Sequence, residues 1–380
     1  MADLAASVGI TSVNVALGDR SYEIAIAPGC LSEIAIRVNA WLSGRGLSVP
    51  ANRRALIVTD DNIRDRHARP AAATLSASGY DCRIASLPPG EETKSLQSAS
   101  TLFDVLVAMQ ADRQTVVAAV GCGVIGDLAG FVAATYARGL PFIQVPTTLL
   151  AQVDSSVGGK VGVNHPRGKN LIGAFYQPVG VLIDTALLET LTVRDYRAGQ
   201  AEVIKYGVIL DAAFFEFLEG HLADLNSRNP AVLQQAVARS CRLKADVVER
   251  DEQERTGLRA VLNYGHTFAH AYEALCGYGQ LLHGEAVAIG MVTASRLAER
   301  LGRIGPVVTS RQIGLLDAVG LPTQLPDSMR PPVKDILERM QLDKKTVGGR
   351  LRFVLPSRLG QAELVNDVPV DDVRAVLEMG

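Results

Sequence analysis

Two segments of this chain concentrate residue types that bind metals and move protons. The first reads AEVIKYG and holds Glu202 and Lys205. The second runs from LRAVLNYGHTF to LHGEAVAIGM and holds three of the six histidines, His266, His270 and His283. On a helix, His266 and His270 would share one face, and the Gly-containing break CGYGQ lets the chain turn back before His283. Two imidazoles and one carboxylate form the ligand set of a catalytic divalent metal with an open coordination position.

A packed or surface position is the more common explanation of a single histidine in an apolar run. Three histidines within 18 residues, beside Asn263 and Arg259, are harder to explain in that way. The pattern leaves packed histidines and a metal or catalytic site both open. The spacing is not HExxH, because Thr267 stands where a zincin has its glutamate, and a metalloprotease is therefore disfavoured.

The bulk composition is that of an ordinary soluble globular protein. A chain of 380 residues is long enough for two domains, and 48% hydrophobic and 21% charged residues are a normal balance. The net charge of −2 gives no sign of nucleic-acid binding. Five cysteines without a CxxC pair indicate a reducing compartment. We see no signal peptide and no membrane-spanning run, and we expect a cytoplasmic protein.

Strand-like and helical segments alternate through the first half of the chain. ALIVTDDN, TVVAAV, FIQVPTT and VGVLIDT read as strands, which predicts a doubly wound parallel sheet over residues 1–185. Ligands of such sheets bind beyond the carboxyl ends of the strands. Residues 186–380 show mostly helical periodicity, with a small hairpin predicted in LRFVLPSRLGQAELVNDV. We expect the active site in the cleft between the two domains.

A glycine-rich turn follows the strand TVVAAV. In GCGVIGDLAGF, Gly121, Gly123 and Gly126 match GxGxxG, and the helix that begins there offers backbone N–H groups to a pyrophosphate. The motif alone is weak, since a tight strand-to-helix turn has the same pattern. Asp127 is likewise an ordinary acidic residue of a first helical turn.

A second glycine-rich segment, SSVGGKVGVNHPRGKNLIGAF, carries cationic and amide side chains within eleven residues: Lys160, Asn164, His165, Arg167, Lys169 and Asn170. Such groups suit a phosphate or oxyanion pocket. It is not a Walker A loop, and a solvated basic loop is the alternative, although the apolar flanks VGV and LIGAF disfavour it. Asp154 precedes Lys160 by six residues and could pair with it. Lys244 and Arg259 could together hold a carboxylate, although a helical lysine is usually just solvated.

Taken together, these segments resemble the 3-dehydroquinate synthase family, the sugar-phosphate cyclases of the shikimate pathway. The resemblance covers residues from about 55 to 357 and rests on long strings, among them GEETK, QVPTTLLAQVDSSVGGKVGVNHPRGKNLIGAF, AEVIKYG, LRAVLNYGHTF and LHGEAVAIGM. It implies an α/β, Rossmann-like NAD-binding domain followed by a mostly α-helical metal-binding domain. The implied cofactors are NAD and one divalent metal, usually zinc and possibly cobalt.

The resemblance also implies roles for particular residues. The metal ligands fall on Glu202, His266 and His283. The NAD contacts fall on Asp60, Asn62, Glu91, Lys94, Gly123, Val124, Ile125, Gly126, Asp127, Thr147, Thr148, Asp154, Lys160, Lys169, Leu187, Leu188, Glu189 and Thr190. The substrate contacts fall on Arg138, Lys160, Asn170, Lys205, Lys244, Arg259, Asn263, His270 and Lys345, of which Lys160, Lys205, Arg259, Asn263 and His270 are implied to be catalytic.

The implied reaction converts 3-deoxy-D-arabino-heptulosonate 7-phosphate to 3-dehydroquinate and phosphate, through transient oxidation by NAD, elimination, re-reduction and aldol closure. Arg138 is implied to reach the phosphate from a partner subunit, so we expect a homodimer. A cyclase acting on sedoheptulose 7-phosphate or glucose 6-phosphate and a metal-dependent polyol dehydrogenase are the alternatives. Two features depart from the family pattern: Cys122 replaces the middle of three glycines, and the run DEQERTGLR from Asp251 to Arg259 is one residue longer than in many family members. The extra residue leaves the acidic partner of Arg259 open, and Glu254 is the nearest candidate.

Overall fold

The computed structural model describes residues 9–47, 53–277, 279–342 and 351–379, and these form two compact units. The first unit comprises the described residues up to Leu191 together with Pro230–Glu249. The second comprises Thr192–Asn229 and the described residues from Arg250 onwards. The helix that starts at Pro230 is thus part of the first unit although it lies in the second half of the chain. The division of the chain into an NAD-binding domain over residues 1–185 and a helical domain over residues 186–380 stays a prediction.

Nine strands lie in the first unit and two in the second, within the described residues. They are β1 (Thr11–Val15), β2 (Tyr22–Ala27), β3 (Arg53–Asp60), β4 (Tyr80–Leu87), β5 (Val116–Gly121), β6 (Phe142–Pro146), β7 (Lys160–His165), β8 (Gly168–Phe175), β9 (Gly180–Asp184), β10 (Phe353–Arg358) and β11 (Gln361–Val365). Seven of them form one sheet in the order β1-β2-β9-β6-β5-β3-β4. β1 and β2 pair antiparallel, and the remaining neighbours pair parallel.

The α-helices of the described chain are α1 (Ile34–Gly44), α2 (Arg69–Ala77), α3 (Leu96–Ala108), α4 (Gly123–Thr135), α5 (Val193–Leu210), α6 (Ala212–Gly220), α7 (Leu222–Asn226), α8 (Pro230–Arg250), α9 (His266–Cys276), α10 (His283–Arg300), α11 (Pro306–Ala318), α12 (Val333–Leu342) and α13 (Val370–Met379). None of the helices that the structure describes is both long and apolar enough to cross a membrane.

The central sheet is buried on both faces because apolar side chains of each strand alternate between two clusters. In β3, Ala55 and Ile57 pack into one cluster, with α1 and α2. Leu56 and Val58 pack into the other, with α3 and α4. Continuous apolar runs are typical of parallel strands that helices cover on both sides. The predicted fold class, an α/β unit followed by a mostly helical one, is confirmed.

The segment from Lys160 to Phe175 differs from its sequence prediction. We read it as a glycine-rich loop, whereas β7 and β8 form an antiparallel hairpin in which Lys160 pairs with Phe175. Burial decides the difference, because Val161, Gly162 and Val163 are buried, the two valines against the cluster of α3 and α4, while Lys160 and His165 at the strand ends are exposed. A short buried run between exposed residues is typical of a strand that packs against the core. The hairpin predicted near the chain end is confirmed as β10 and β11.

Candidate active site

A cluster of three potential metal ligands lies in the second unit. One ligand atom each from Glu202, His266 and His283 lies within 4.8 Å of the others. Glu202 Oε1 is 3.8 Å from His266 Nε2. Ligands at about 2.0–2.2 Å around a tetrahedral zinc lie roughly 3.3–3.6 Å apart, so a divalent cation fits between these groups with small adjustments. The structure therefore brings together the three residues to which the family resemblance assigns the metal.

Glu202 lies in the middle of α5 and is fully buried. Neither of its carboxylate oxygens accepts a hydrogen bond from a residue that the structure describes. Lys205, one helical turn further on and also buried, forms a close ion pair with Glu202. A buried carboxylate without hydrogen bonds is costly. Lys205 compensates the charge of Glu202 at Oε2, so Oε1, which has no hydrogen-bond partner among the described residues, is the oxygen that best fits a bound cation.

His266 is the first residue of α9, and the residue before it fixes where the helix begins. Gly265 has a left-handed backbone, with φ of 78°, and a Cβ there would lie 2.7 Å from Met291 N. Only glycine meets both demands. His266 Nδ1 lies 3.1 Å from the Tyr264 carbonyl oxygen. Burial and then the Lys205 charge hold the pKa of His266 well below its ordinary value, so that the imidazole is neutral and its Nε2 can bind a metal.

His283 is the first residue of α10, and two sets of contacts fix the position of this helix start. A Cβ on Gly284 would lie 1.8 Å from the carbonyl oxygen of Ala198, so α10 packs directly on the backbone of α5. Glu285 accepts a hydrogen bond from the Leu282 N–H at 2.8 Å and a bidentate pair from the Arg194 guanidinium at 2.7 and 2.8 Å. Neither feature is apparent in the sequence pattern, since both depend on contacts between distant segments.

Further predicted catalytic residues lie in the same unit. His270 follows His266 by one turn of α9, with their ring centres 5.6 Å apart, which confirms the predicted shared helix face. His270 is exposed, and Lys205 and Arg259 are buried. Asn263 ends the short 3-10 turn Leu258–Asn263 and is half-buried.

A loop organised by Asp251 positions Arg259, and sequence reasoning missed it. The Asp251 carboxylate accepts hydrogen bonds from the backbone N–H groups of Arg255, Thr256 and Arg259 at 2.8, 3.1 and 3.4 Å. Although burial raises it, these bonds lower the pKa of Asp251 to about 2. The Glu254 carboxylate lies 3.8 Å from Arg259 Nε, as the proposed acidic partner should. The weak signal in the sequence is an aspartate before a stretch that contains Thr256 and a glycine.

In the first unit, the predicted cofactor residues lie near the carboxyl ends of the parallel strands. Asp60 ends β3, accepts a hydrogen bond from the Asn62 N–H at 2.9 Å, and has its pKa raised by burial. Residues 123–127 form the first turn of α4, whose N-terminus has no side-chain cap. Uncapped N–H groups at a helix N-terminus fit a pyrophosphate. Residues 187–190 lie in the 3-10 turn Thr185–Thr190, where Thr190 Oγ1 contacts His67 Nε2 at 3.0 Å.

Two buried lysines of the first unit, Lys94 and Lys244, are partnered by acidic or amide groups. Lys94 Nζ lies 2.5 Å from both Asp127 Oδ2 and Asn170 Oδ1. Burial raises the pKa of Asp127 despite this lysine. Lys244 Nζ, which is buried on α8, lies 2.6 Å from Asp154 Oδ1 and 2.7 Å from the Asp154 carbonyl oxygen. Predicted substrate and cofactor residues are thus already paired with one another.

Among the remaining predicted residues, those of the first unit are buried, hydrogen-bonded or exposed. Thr147 is buried after β6, and Thr148 Oγ1 accepts the N–H of Ala151 at 3.2 Å. The exposed side chains are those of Lys160, Lys169, Glu189 and Arg138. Glu91 Oε1 accepts a hydrogen bond from Asn164 at 2.7 Å. Lys345 lies outside the described residues.

The fold and the cluster of three potential metal ligands together define a two-unit protein of the sugar-phosphate cyclase class. A crystal structure of 2-deoxy-scyllo-inosose synthase complexed with carbaglucose-6-phosphate, NAD+ and Co2+ is similar, with a TM-score of 0.86 and 28% identity over 97% of this chain and 100% of that one. So is 2-epi-5-epi-valiolone synthase from Streptomyces hygroscopicus with NAD+ and Zn2+ bound, with a TM-score of 0.84 and 28% identity over 96% of this chain and 98% of that one.

The family models of the N-terminal and C-terminal regions of 3-dehydroquinate synthase match residues 84–198 and 199–346, respectively. The 3-dehydroquinate synthase of Desulforamulus reducens is 50% identical over 96% of this chain and 99% of its own length. The chain belongs to the 3-dehydroquinate synthase family.

Proposed function

We propose that this chain converts 3-deoxy-D-arabino-heptulosonate 7-phosphate to 3-dehydroquinate and phosphate, as a carbon–oxygen lyase of the shikimate pathway. The observation that carries the proposal is the cluster of Glu202, His266 and His283 in a chain half identical, over nearly its whole length, to a 3-dehydroquinate synthase. Relatives that make other cyclic products are less similar, at 28% identity.

The residues present fit both cofactors. Glu202, His266 and His283 would hold a zinc or cobalt ion, and the first turn of α4 with Asp60 and Lys94 would hold NAD. When bound, the metal supplies polarisation of a substrate oxygen and NAD supplies reversible oxidation of the substrate alcohol. The protein's own residues then have to bind one substrate and keep it aligned through several steps.

In our proposal, different groups of residues bind the two anionic ends of the substrate. Lys244 and Arg259 bind the carboxylate, for which guanidinium and ammonium groups are the natural partners. Lys160, Asn170 and Asn263 bind the phosphate, together with Lys345 and with Arg138 from a second protomer. The substrate's own phosphate accepts the proton that elimination releases.

Lys205 and His270 are the groups that we propose to act on the reacting hydroxyls. Lys205 is buried and ion-paired with Glu202, so its ammonium can donate hydrogen bonds beside the metal ligands. His270 presents an exposed imidazole one turn from His266, where it can exchange a proton with the substrate.

We also propose a cytoplasmic homodimer. All five cysteines are free, which suits a reducing compartment. Arg138 is exposed and has a left-handed backbone, with φ of 67°, a conformation that non-glycine residues keep only where the surrounding structure compensates for it. A phosphate contact in a second protomer would give such an arginine a function. The molar mass in solution, measured by light scattering, tests the dimer.

The decisive experiment measures phosphate release from 3-deoxy-D-arabino-heptulosonate 7-phosphate with NAD and zinc or cobalt, while absorbance reports NADH. We expect stoichiometric phosphate without net NADH. Net NADH would indicate a polyol dehydrogenase instead. Release from sedoheptulose 7-phosphate alone, in a parallel reaction, would mean that the roles of Lys244 and Arg259 are misassigned.

A further inference from the structure

The two histidines of the metal cluster each have one ring nitrogen already engaged. Nδ1 of His266 lies 3.1 Å from the Tyr264 carbonyl oxygen. Nδ1 of His283 lies 3.3 Å from Oε1 of Glu273. Both acceptors require a proton on Nδ1, which leaves the lone pair of a neutral imidazole on Nε2. In both rings, therefore, the nitrogen that is left to bind a metal is Nε2.

The two acceptors differ in how firmly they are fixed. The carbonyl of Tyr264 is part of the backbone, and the Tyr264 hydroxyl is itself anchored within 3.0 Å of the Met291 carbonyl and 2.9 Å of the Gln312 amide. The acceptor of His283 is a side chain. Glu273 lies two turns after His266 on α9, so a single helix carries one ligand and the group that orients another. The Glu273 side chain is 15% exposed, against 36% for His283.

We propose that Glu273 is a positioning residue for the metal, which fixes the tautomer and the ring orientation of His283 through its Nδ1–H. This inference rests on the metal site of the proposed function. A carboxylate behind a ligating imidazole also makes that imidazole a stronger donor. His283 needs this support more than His266 for two reasons. Its ring is the more exposed of the two, and it follows the glycine-containing segment that includes Gly277 and Gly279.

The test compares Glu273→Ala and Glu273→Gln with the wild-type protein in binding of Co2+ and Zn2+ alone, by competition with a chromophoric chelator. We expect about 10–100-fold weaker binding for the alanine variant, the usual cost of losing such a partner. The glutamine variant should recover part of the loss, because its amide oxygen still accepts the Nδ1–H but carries no charge. The absorption spectrum of bound Co2+ should change in the alanine variant.

A matched control is Glu338→Ala, which removes an exposed helical carboxylate on α12 whose lysine partner is 3.8 Å away. It should bind metal like the wild-type protein. Wild-type metal affinity and an unchanged Co2+ spectrum in Glu273→Ala would overturn the inference. So would equal losses of metal-free stability in both Glu273 variants without a spectral change, which would make the residue merely structural. Phosphate release by the wild-type protein is measured in parallel. If the wild-type protein binds metal normally but releases no phosphate from the substrate, the proposed function is contradicted and the role of Glu273 is not.

Discussion

The buried ion pairs of the two units differ in what they leave unsatisfied. In the second unit, the fully buried Glu202 pairs with Lys205 through Oε2, while its Oε1 lacks a hydrogen bond from any described residue and lies 3.8 Å from His266 Nε2. In the first unit, Lys94 is paired with Asp127, and Lys244 with Asp154, at 2.5 and 2.6 Å. Glu202 thus keeps a buried oxygen that a cation could bind, whereas Asp127 and Asp154 leave no buried oxygen without a partner among the described residues.

This difference teaches how each region is expected to bind. A buried carboxylate oxygen that lacks a hydrogen bond gains a strong interaction when a cation binds, and the Lys205 ammonium beside it is the group that has to adjust. A lysine that is already paired must exchange one partner for another, so that the net gain from an anionic ligand is smaller and more selective. The metal should therefore bind more tightly than the substrate or the nucleotide, and substitutions in the two regions should have different signatures.

The largest effect is expected from Glu202→Gln, which removes the charge of the preorganised site. Metal affinity should fall by more than the roughly 100-fold that loss of an orienting partner costs, and phosphate release should fall to background. Metal content after gel filtration and the Co2+ spectrum measure the first effect. Normal metal content in a folded Glu202→Gln protein would contradict the comparison, because the unsatisfied oxygens would then have another explanation.

Gly284→Ala sharpens the comparison by moving a ligand without changing its chemistry. The new methyl group would overlap the Ala198 carbonyl, so α10 must shift from α5. Overpacking of this kind costs about 1–3 kcal/mol of unfolding free energy, and the displaced His283 should weaken metal binding as well. Urea unfolding and metal titration measure both.

Gly314→Ala is the matched control for this substitution, since no atom lies within 4 Å of a Cβ at that position inside α11. It should stabilise the protein by roughly 0.5–1 kcal/mol, the ordinary gain of alanine over glycine within a helix. Equal behaviour of the two variants would show that the approach of α10 to α5 is not a constraint.

The paired lysine of the first unit is tested by Lys244→Met, Asp154→Asn and the double variant. Lys244 is 8% exposed and Asp154 31%, so breaking the pair should cost roughly 1–3 kcal/mol, between the values of exposed and buried pairs. The double variant should recover part of that loss. Lys244→Met should also raise the KM for the carboxylated substrate while the metal content stays normal. Full additivity of the two single effects would contradict an energetic pairing.

The sequence predicted the parts of the fold and site that depend on local patterns. Periodicity and spacing predict the parallel strands, the helical second half and the helix that carries both His266 and His270. The sequence did not predict the placement of α8 in the first unit, the contact of Gly284 with Ala198 or the pairing of Glu273 with His283. These depend on which segments meet in space, and a lone Gly or Glu in a helix carries no signal of its distant partner.

Asp251 offers a smaller effect that depends on pH. Its pKa is about 2 in the folded protein against an ordinary value of 3.8, so the ionised form contributes stability above about pH 4 and loses it as the pH falls towards 2. The difference in unfolding free energy between the wild-type protein and Asp251→Asn should be constant above pH 4 and vanish near pH 2. Urea unfolding at a series of pH values measures it. A difference that persists at pH 2 would mean that the loop's backbone hydrogen bonds do not depend on the charge.

Cys122, at which the family resemblance implies a glycine, should show the smallest effect. Its backbone, with φ of −75°, does not require glycine, and its side chain packs against the hydrophobic cluster of α3 and α4. Burial raises the pKa of the thiol, which keeps it protonated and unreactive. We expect Cys122→Gly to leave NAD affinity unchanged and to cost about 0.5–1 kcal/mol of stability from added backbone freedom. Cys122→Ala, which keeps the Cβ, is the control for NAD titrations followed by fluorescence. If the glycine variant alone binds NAD about tenfold more tightly, a gain of roughly 1.4 kcal/mol, the Cβ obstructs the nucleotide and the uncapped turn of α4 is less well prepared than the metal site.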